Sequence, residues 1–203
     1  AVLSGSRKAL NWCDDKGSVD FYDMKGIVEG LLEAMQVSDY TMTRSQQPYL
    51  HPGKSCDIVV NGEVIGSFGE VHPVVQENFE LDQVTYVLEM AVEPLVASAT
   101  AVPQYKHLPK FPSMSRDIAV VVPAEVTNAE LEQVIRAHAG ELLQGVRVFD
   151  IYTGKQVAAG CKSMAFNLTY QAADRTLTDA EVDASMKKVI AEVAEAYKAK
   201  LRD

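Results

Sequence analysis

The sequence predicts an α+β protein built in two units, and three observations carry that reading. Apolar residues alternate along several short segments in both halves, the pattern of half-buried strands. Two Thr-x-x-Glu signatures, Thr127 with Glu130 and Thr178 with Glu181, each open an apolar run at helical spacing. Between 97 and 110 the periodicity lapses and Pro103 and Pro109 appear, so this segment joins a first unit, 1–102, to a second, 103–203.

Taken in order, the first unit begins with Ala1-Val2-Leu3-Ser4-Gly5, which has no Met and reads as the end of an apolar strand. A piece of a longer chain is the expectation. Asp20-Phe21-Tyr22-Asp23 leads into a helix with Ile27, Leu31, Leu32 and Met35 on one face. Strands at 56–60 and 63–66 flank Asn61-Gly62, a hairpin signal because both turn positions need positive φ. A further strand covers 84–92, which makes the unit mixed and antiparallel.

The second unit reads as strand 118–122, a helix carrying Leu131, Val134, Ile135 and His138, then strands 146–152 and 163–170 around a loop with Gly154 and Gly160. A second helix follows, with Val182, Met186, Val189, Ile190 and Val193 inward, and Leu201-Arg202 closes a last short strand. The order β-α-β-β-α-β is ferredoxin-like: one antiparallel sheet with both helices on one side. Alternation sets Phe149 and Ile151 on one side, Asp150 and Tyr152 on the other. Met164, Phe166, Leu168 and Tyr170 face the helices, leaving Ser163, Ala165, Asn167 and Thr169 opposite. Asp150, Tyr152, Ser163 and Asn167 therefore share an open face, suited to stacking a single-stranded base and reading its polar edge.

Composition narrows the function. At 203 residues, 47 % hydrophobic and 23 % charged, the chain has ample core and is not disordered. No apolar run is long enough to span a membrane and no secretory leader is visible; three cysteines, an odd number, fit a reduced, cytoplasmic setting. The net charge of −9 sits mostly in residues 1–107, with 7 Lys+Arg against 15 Asp+Glu, while residues 108–203 carry 12 against 13. Neither half favours non-specific binding to nucleic acid, so any RNA contact is local.

These placed residues resemble the C-terminal part of the β subunit of bacterial phenylalanyl-tRNA synthetases. In the second unit the resemblance rests on Phe111-Pro112, Arg116-Asp117, Val148-Phe149-Asp150-Ile151-Tyr152, Lys162-Ser163-Met164-Ala165-Phe166 and Arg175-Thr176-Leu177-Thr178-Asp179-Ala180-Glu181. In the first it rests on Asp20-Phe21-Tyr22-Asp23-Met24-Lys25-Gly26, His51-Pro52-Gly53-Lys54 and Gly69-Glu70-Val71-His72-Pro73. It implies a partial, non-catalytic class II synthetase-like module followed by a ferredoxin-fold anticodon-binding domain. The implied RNA-binding residues are Asp150, Tyr152 and Ser163, with Arg116 a candidate for backbone contact; Asn167 comes from alternation alone. The implied partners are phenylalanine tRNA and an α subunit, in a heterotetramer of two α and two β subunits. ATP and magnesium belong to the parent enzyme, and this chain is expected to supply no catalytic residue, cofactor site or metal site.

Blander readings stand beside these. His51, Cys56 and His72 match no compact zinc spacing, and each His precedes Pro as in a turn. His138 is a packed or boundary histidine, and Arg116-Asp117 and Asp174-Arg175 read as loop braces. Two other functions compete: an amino-acid-sensing regulatory module, which needs a concave pocket with a charged pair, and a pure assembly scaffold, which needs exposed apolar patches on the first unit.

Overall fold

Asp20 starts the first helix. Its carboxylate accepts hydrogen bonds from the Tyr22 and Asp23 amides, and the Asp23 carboxylate accepts from the Asp20 amide at 2.7 Å. The resulting α1 (Phe21–Ala34) buries Met24, Val28 and Leu32, spaced four apart. The stripe therefore runs one position off the sequence reading: Leu32 is inside, but Ile27 and Leu31 are exposed at 44 % and 37 %.

The computed structural model describes residues 1–9, 12, 13, 17–100, 102, 105, 108–154 and 156–202. Its backbone divides into two compact units, Ala1–Tyr105 and Lys106–Asp203. Pro103, which marked the junction in the sequence, lies outside the described residues.

In the first unit β1 (Val2–Ser4), β2 (Tyr40–Arg44), β3 (Leu50–Val60), β4 (Glu63–Val71) and β5 (Thr85–Met90) form one antiparallel sheet, ordered β1-β5-β4-β3-β2. Asn61 and Gly62 turn the β3–β4 hairpin at φ 53° and 81°, the positive values that favour this dipeptide. Phe21 stacks on Phe68 with centroids 5.4 Å apart, which ties α1 to the sheet. Two short helices, α2 (Pro73–Asn78) and α3 (Val92–Ser98), escape the sequence reading because neither is long enough to show a period. His51-Pro52 is no turn; it lies within β3, where the register slips between Leu50 and Ser55.

The second unit comprises β6 (Met114–Pro123), α4 (Asn128–Ala139), β7 (Leu143–Tyr152), β8 (Cys161–Tyr170), α5 (Asp179–Tyr197) and β9 (Lys200–Leu201), with sheet order β7-β8-β6-β9. This is the ferredoxin-like arrangement, and the molecule is α+β. Both capping boxes form: the Thr127 amide donates to Glu130 at 2.7 Å and the Thr178 amide to Glu181 at 2.9 Å. Ile118, Val120, Phe166 and Leu168 from the sheet meet Leu131, Ile135, Val182 and Val189 from the helices in one core. Each such side chain contributes about 1.5–3 kcal/mol by leaving water. Because that core occupies one sheet face, the other carries no helix.

One irregularity sets what that other face displays. Val148 pairs with Phe166 and Asp150 pairs with Ala165, so Phe149 is an extra residue, a β-bulge. Val146 and Val148 pack against the core, and Phe149 is 52 % exposed and stands outside it. The expectation that Phe149 lies under the helices is thus corrected. Ile151 shares the helix side through its pairing with Met164, but at the end of an edge strand it too remains 52 % exposed.

Candidate nucleic-acid interface

Register defines the helix-free face. From β7 it takes Arg147, Asp150 and Tyr152; opposite them on β8 stand Asn167, Ala165 and Ser163. On β6 the partners of those three are Asp117, Ala119 and Val121. Asp150, Tyr152, Ser163 and Asn167 therefore share one face, with different freedom on it.

Asp150 is exposed and makes no hydrogen bond or ion pair among the described residues, leaving its carboxylate available. Asn167 is committed within the sheet: its Nδ2 donates to Ser115 Oγ and Asp117 Oδ1, both at 2.6 Å, and its Oδ1 accepts from Thr169 Oγ1 at 3.4 Å. Tyr152 is half-buried, with the Arg202 guanidinium 4.7 Å from its ring centroid in a cation–π contact. Its hydroxyl lies against Gly154, where an added Cβ would sit 2.1 Å away.

Arg202 follows β9 on one edge of the sheet, its amide donating to the Ala119 carbonyl at 2.9 Å, whereas Tyr152 sits on β7 at the other edge. Their side chains consequently meet over the inner strands. This explains why Ser163 and Ala165 are only 3 % and 9 % exposed on a face no helix covers. The openness expected of Ser163 is corrected accordingly: the residue is on the right side but lies under a lid. The Gln156 carboxamide holds that lid, accepting from Arg202 Nη2 at 3.1 Å.

Arg116 lies elsewhere. It pairs with Leu168, on the helix side, and its guanidinium donates to Asp179 at 2.5 Å and Asp183 at 3.4 Å in the first turns of α5. Its hydrogen bond with Asp179 raises the guanidinium pKa further. Arg116 braces a helix to the sheet and is not gathered with Asp150. Arg147, by contrast, was missed. Strict alternation from Tyr152 puts it inside; the bulge reverses the phase and leaves it exposed beside Asn167, with no partner among the described residues. The one available signal was Val146 and Val148, two β-branched residues that strict alternation would have exposed.

In the first unit, His51 Nδ1 accepts from the Gly53 amide at 3.0 Å and His72 Nδ1 from the Val74 amide at 3.2 Å. Burial pushes the Cys56 thiol pKa up. No group of three or more His, Cys, Asp or Glu among the described residues could hold a metal ion.

Comparison with known proteins agrees with this architecture. Residues 109–202 match the ferredoxin-fold anticodon binding domain, and residues 1–92 match the phenylalanyl tRNA synthetase beta chain CLM domain. The chain belongs to the phenylalanyl-tRNA synthetase beta-chain family. It is 42 % identical over 201 residues to the phenylalanine–tRNA ligase beta subunit of Symbiobacterium thermophilum, and 42 % over 203 residues to that of Bacillus subtilis. The protein of the same name from Halalkalibacterium halodurans is 43 % identical over 202 residues. Against 99 % or more of this chain, those alignments cover 22 %, 25 % and 25 % of the relatives, so it spans about a quarter of their length. In both units the family match coincides with a sheet described above, and in the second it includes the lid and the bulge.

Proposed function

We propose that this chain is a tRNA-binding and scaffolding part of a phenylalanine–tRNA ligase, with the helix-free face of its second unit taking the anticodon stem-loop of phenylalanine tRNA. The observation that carries the reading is the juxtaposition of Asp150, Arg147 and the Tyr152–Arg202 pair on a face bare of helices, within the segment matching an anticodon-binding domain. Asp150 accepts hydrogen bonds from a base edge and Arg147 neutralises a phosphate. An incoming base displaces Arg202 from the Tyr152 ring and stacks there, which uncovers the Ser163 hydroxyl beneath. Asn167 holds the β6–β8 surface in shape. Arg116 plays no part in RNA contact.

The parent enzyme joins phenylalanine to its tRNA using ATP and magnesium, in the cytoplasm, as two α and two β subunits. Among the described residues no cluster of His, Cys, Asp or Glu is placed to hold magnesium, and this chain takes a binding role. A second role is favoured by α1, whose outer face exposes Tyr22, Ile27 and Leu31 around Gly26 and Gly30, with nothing within 4 Å of a Cβ built on either glycine. Such a close-approach surface, apolar except for Glu33, suits assembly with the α subunit. No helix among the described residues is long and apolar enough to cross a membrane.

The test is a low-salt titration of the chain with the phenylalanine anticodon stem-loop against a loop of swapped anticodon. Preference for the first, abolished by Tyr152→Ala, is the expected result. Equal binding to both loops, untouched by the substitution, would overturn the assignment.

A further inference from the structure

The first unit contains a pocket of about 480 Å³ lined by Lys54 of β3, Glu70 of β4, Tyr86 of β5 and residues just after β1 and just before α1 and β5. Glu70 lines it, with a side chain only 7 % exposed. One carboxylate oxygen, Oε2, accepts from Lys54 Nζ at 2.6 Å and from the Tyr86 hydroxyl at 3.1 Å. The other, Oε1, has no hydrogen bond among the described residues. Burial, then the Glu70 hydrogen bond, pushes the Tyr86 phenol up to about 12, so it stays a donor and fixes the carboxylate. Lys54 is half exposed and keeps two further N–H donors for the pocket. Ser18 and Gln83 add polar groups to the wall, and Val84 an apolar one.

The two charges restrict what can enter. A lone anion meets the buried Glu70 carboxylate, and a lone cation meets the Lys54 ammonium. A compact molecule bearing both charges satisfies both: its ammonium donates to Glu70 Oε1 and its carboxylate accepts from Lys54. The volume is at the small-ligand end of the range for binding pockets. We propose that this pocket binds a free α-amino acid, held by Glu70 at its amine and by Lys54 at its carboxylate. The charged pair in a concavity that an amino-acid site requires thus belongs to the first unit and not to the ferredoxin-like one. The inference is independent of the RNA-binding reading.

The test is a two-dimensional amide NMR titration of the full chain with the proteinogenic L-α-amino acids, each up to roughly 10 mM, above the millimolar Kd of a weak small-molecule site. At least one should shift the amides of Gly5, Ser18, Glu70 and Tyr86 saturably. Its N-acetyl and carboxamide derivatives should bind at least about tenfold more weakly, as should the Glu70→Gln variant, each losing a charged hydrogen bond. Lys54→Met, at a half-exposed position, gives the same readout should Glu70→Gln fail to fold. Absence of shifts with every amino acid, or equal binding of the N-acetyl form, would overturn the proposal.

Discussion

Replacing Phe166 with alanine tests which face of the second sheet is the core. Phe166 is fully buried in the central strand β8, flanked in register by Ile118 on β6 and Val148 on β7. It belongs to a core drawn mainly from β6, β8, α4 and α5, which limits how far the site can collapse around the missing ring. A loss of about 3–5 kcal/mol follows for such a substitution. Against a total stability of about 5–15 kcal/mol, that is a large share. With a urea slope of about 1.5 kcal/mol per molar, the unfolding midpoint of this unit falls by roughly 2–3 M. Urea titration with peptide-resolved hydrogen exchange is the assay. Peptides from β6 and β8 should lose protection early, and those from β3 and β4 should not move. A midpoint drop below about 0.7 M, equivalent to roughly 1 kcal/mol, would show that the core and the open face have been exchanged.

Other substitutions separate binding from folding. Tyr152→Ala should leave stability nearly unchanged and weaken the stem-loop complex by about 1–3 kcal/mol in a fluorescence titration, since it removes a stacking platform. Gly154→Ala places a methyl group 2.1 Å from the Tyr152 hydroxyl and should displace the ring, seen as altered Tyr152 and Arg202 NMR shifts. Arg116→Ala should cost at most about 1 kcal/mol of stability, as a partly exposed ion pair does, with stem-loop affinity unchanged. Glu181 has its carboxyl pKa held below the usual 4.5, chiefly by the Thr178 amide. A depressed folded-state pKa stabilises above the unfolded value and is lost as pH falls, so melting temperature should drop below about pH 4.5, and Glu181→Gln should flatten that slope.

The sequence carried the second unit well because its signals are local. Thr127 with Glu130 and Thr178 with Glu181 mark both helix starts, and Met164 to Tyr170 alternates without interruption. Phe149 broke the reading of β7, since a bulge is decided by pairing across strands and one strand alone cannot reveal it. Ser163 was placed on the correct side, but its cover comes from Arg202, 39 positions along the chain and on the opposite sheet edge. In α1, Ile27 and Leu31 looked buried because the apolar residues form a broad arc, wider than the Met24-Val28-Leu32 stripe that turns inward. Lys54, Glu70 and Tyr86 stand 16 positions apart in succession and meet only through the antiparallel pairing of β4 with its neighbours.

The extra residue in β7 works as a phase shifter between two stretches of one strand. Upstream of it, odd-numbered Arg147 looks toward the bare face; downstream, even-numbered Asp150 and Tyr152 do. Removing Phe149 would leave Val148 opposite Phe166 and Asp150 opposite Ala165 as successive pairs of a regular ladder, so Val146 and Val148 would stay in the apolar layer and Arg147 on the bare face. A one-residue deletion would thus remove an exposed ring and the local irregularity while leaving Arg147, Asp150 and Tyr152 on the same face. The bulge is thus what lets an inward Val148 and an outward Asp150 stand two positions apart in the chain.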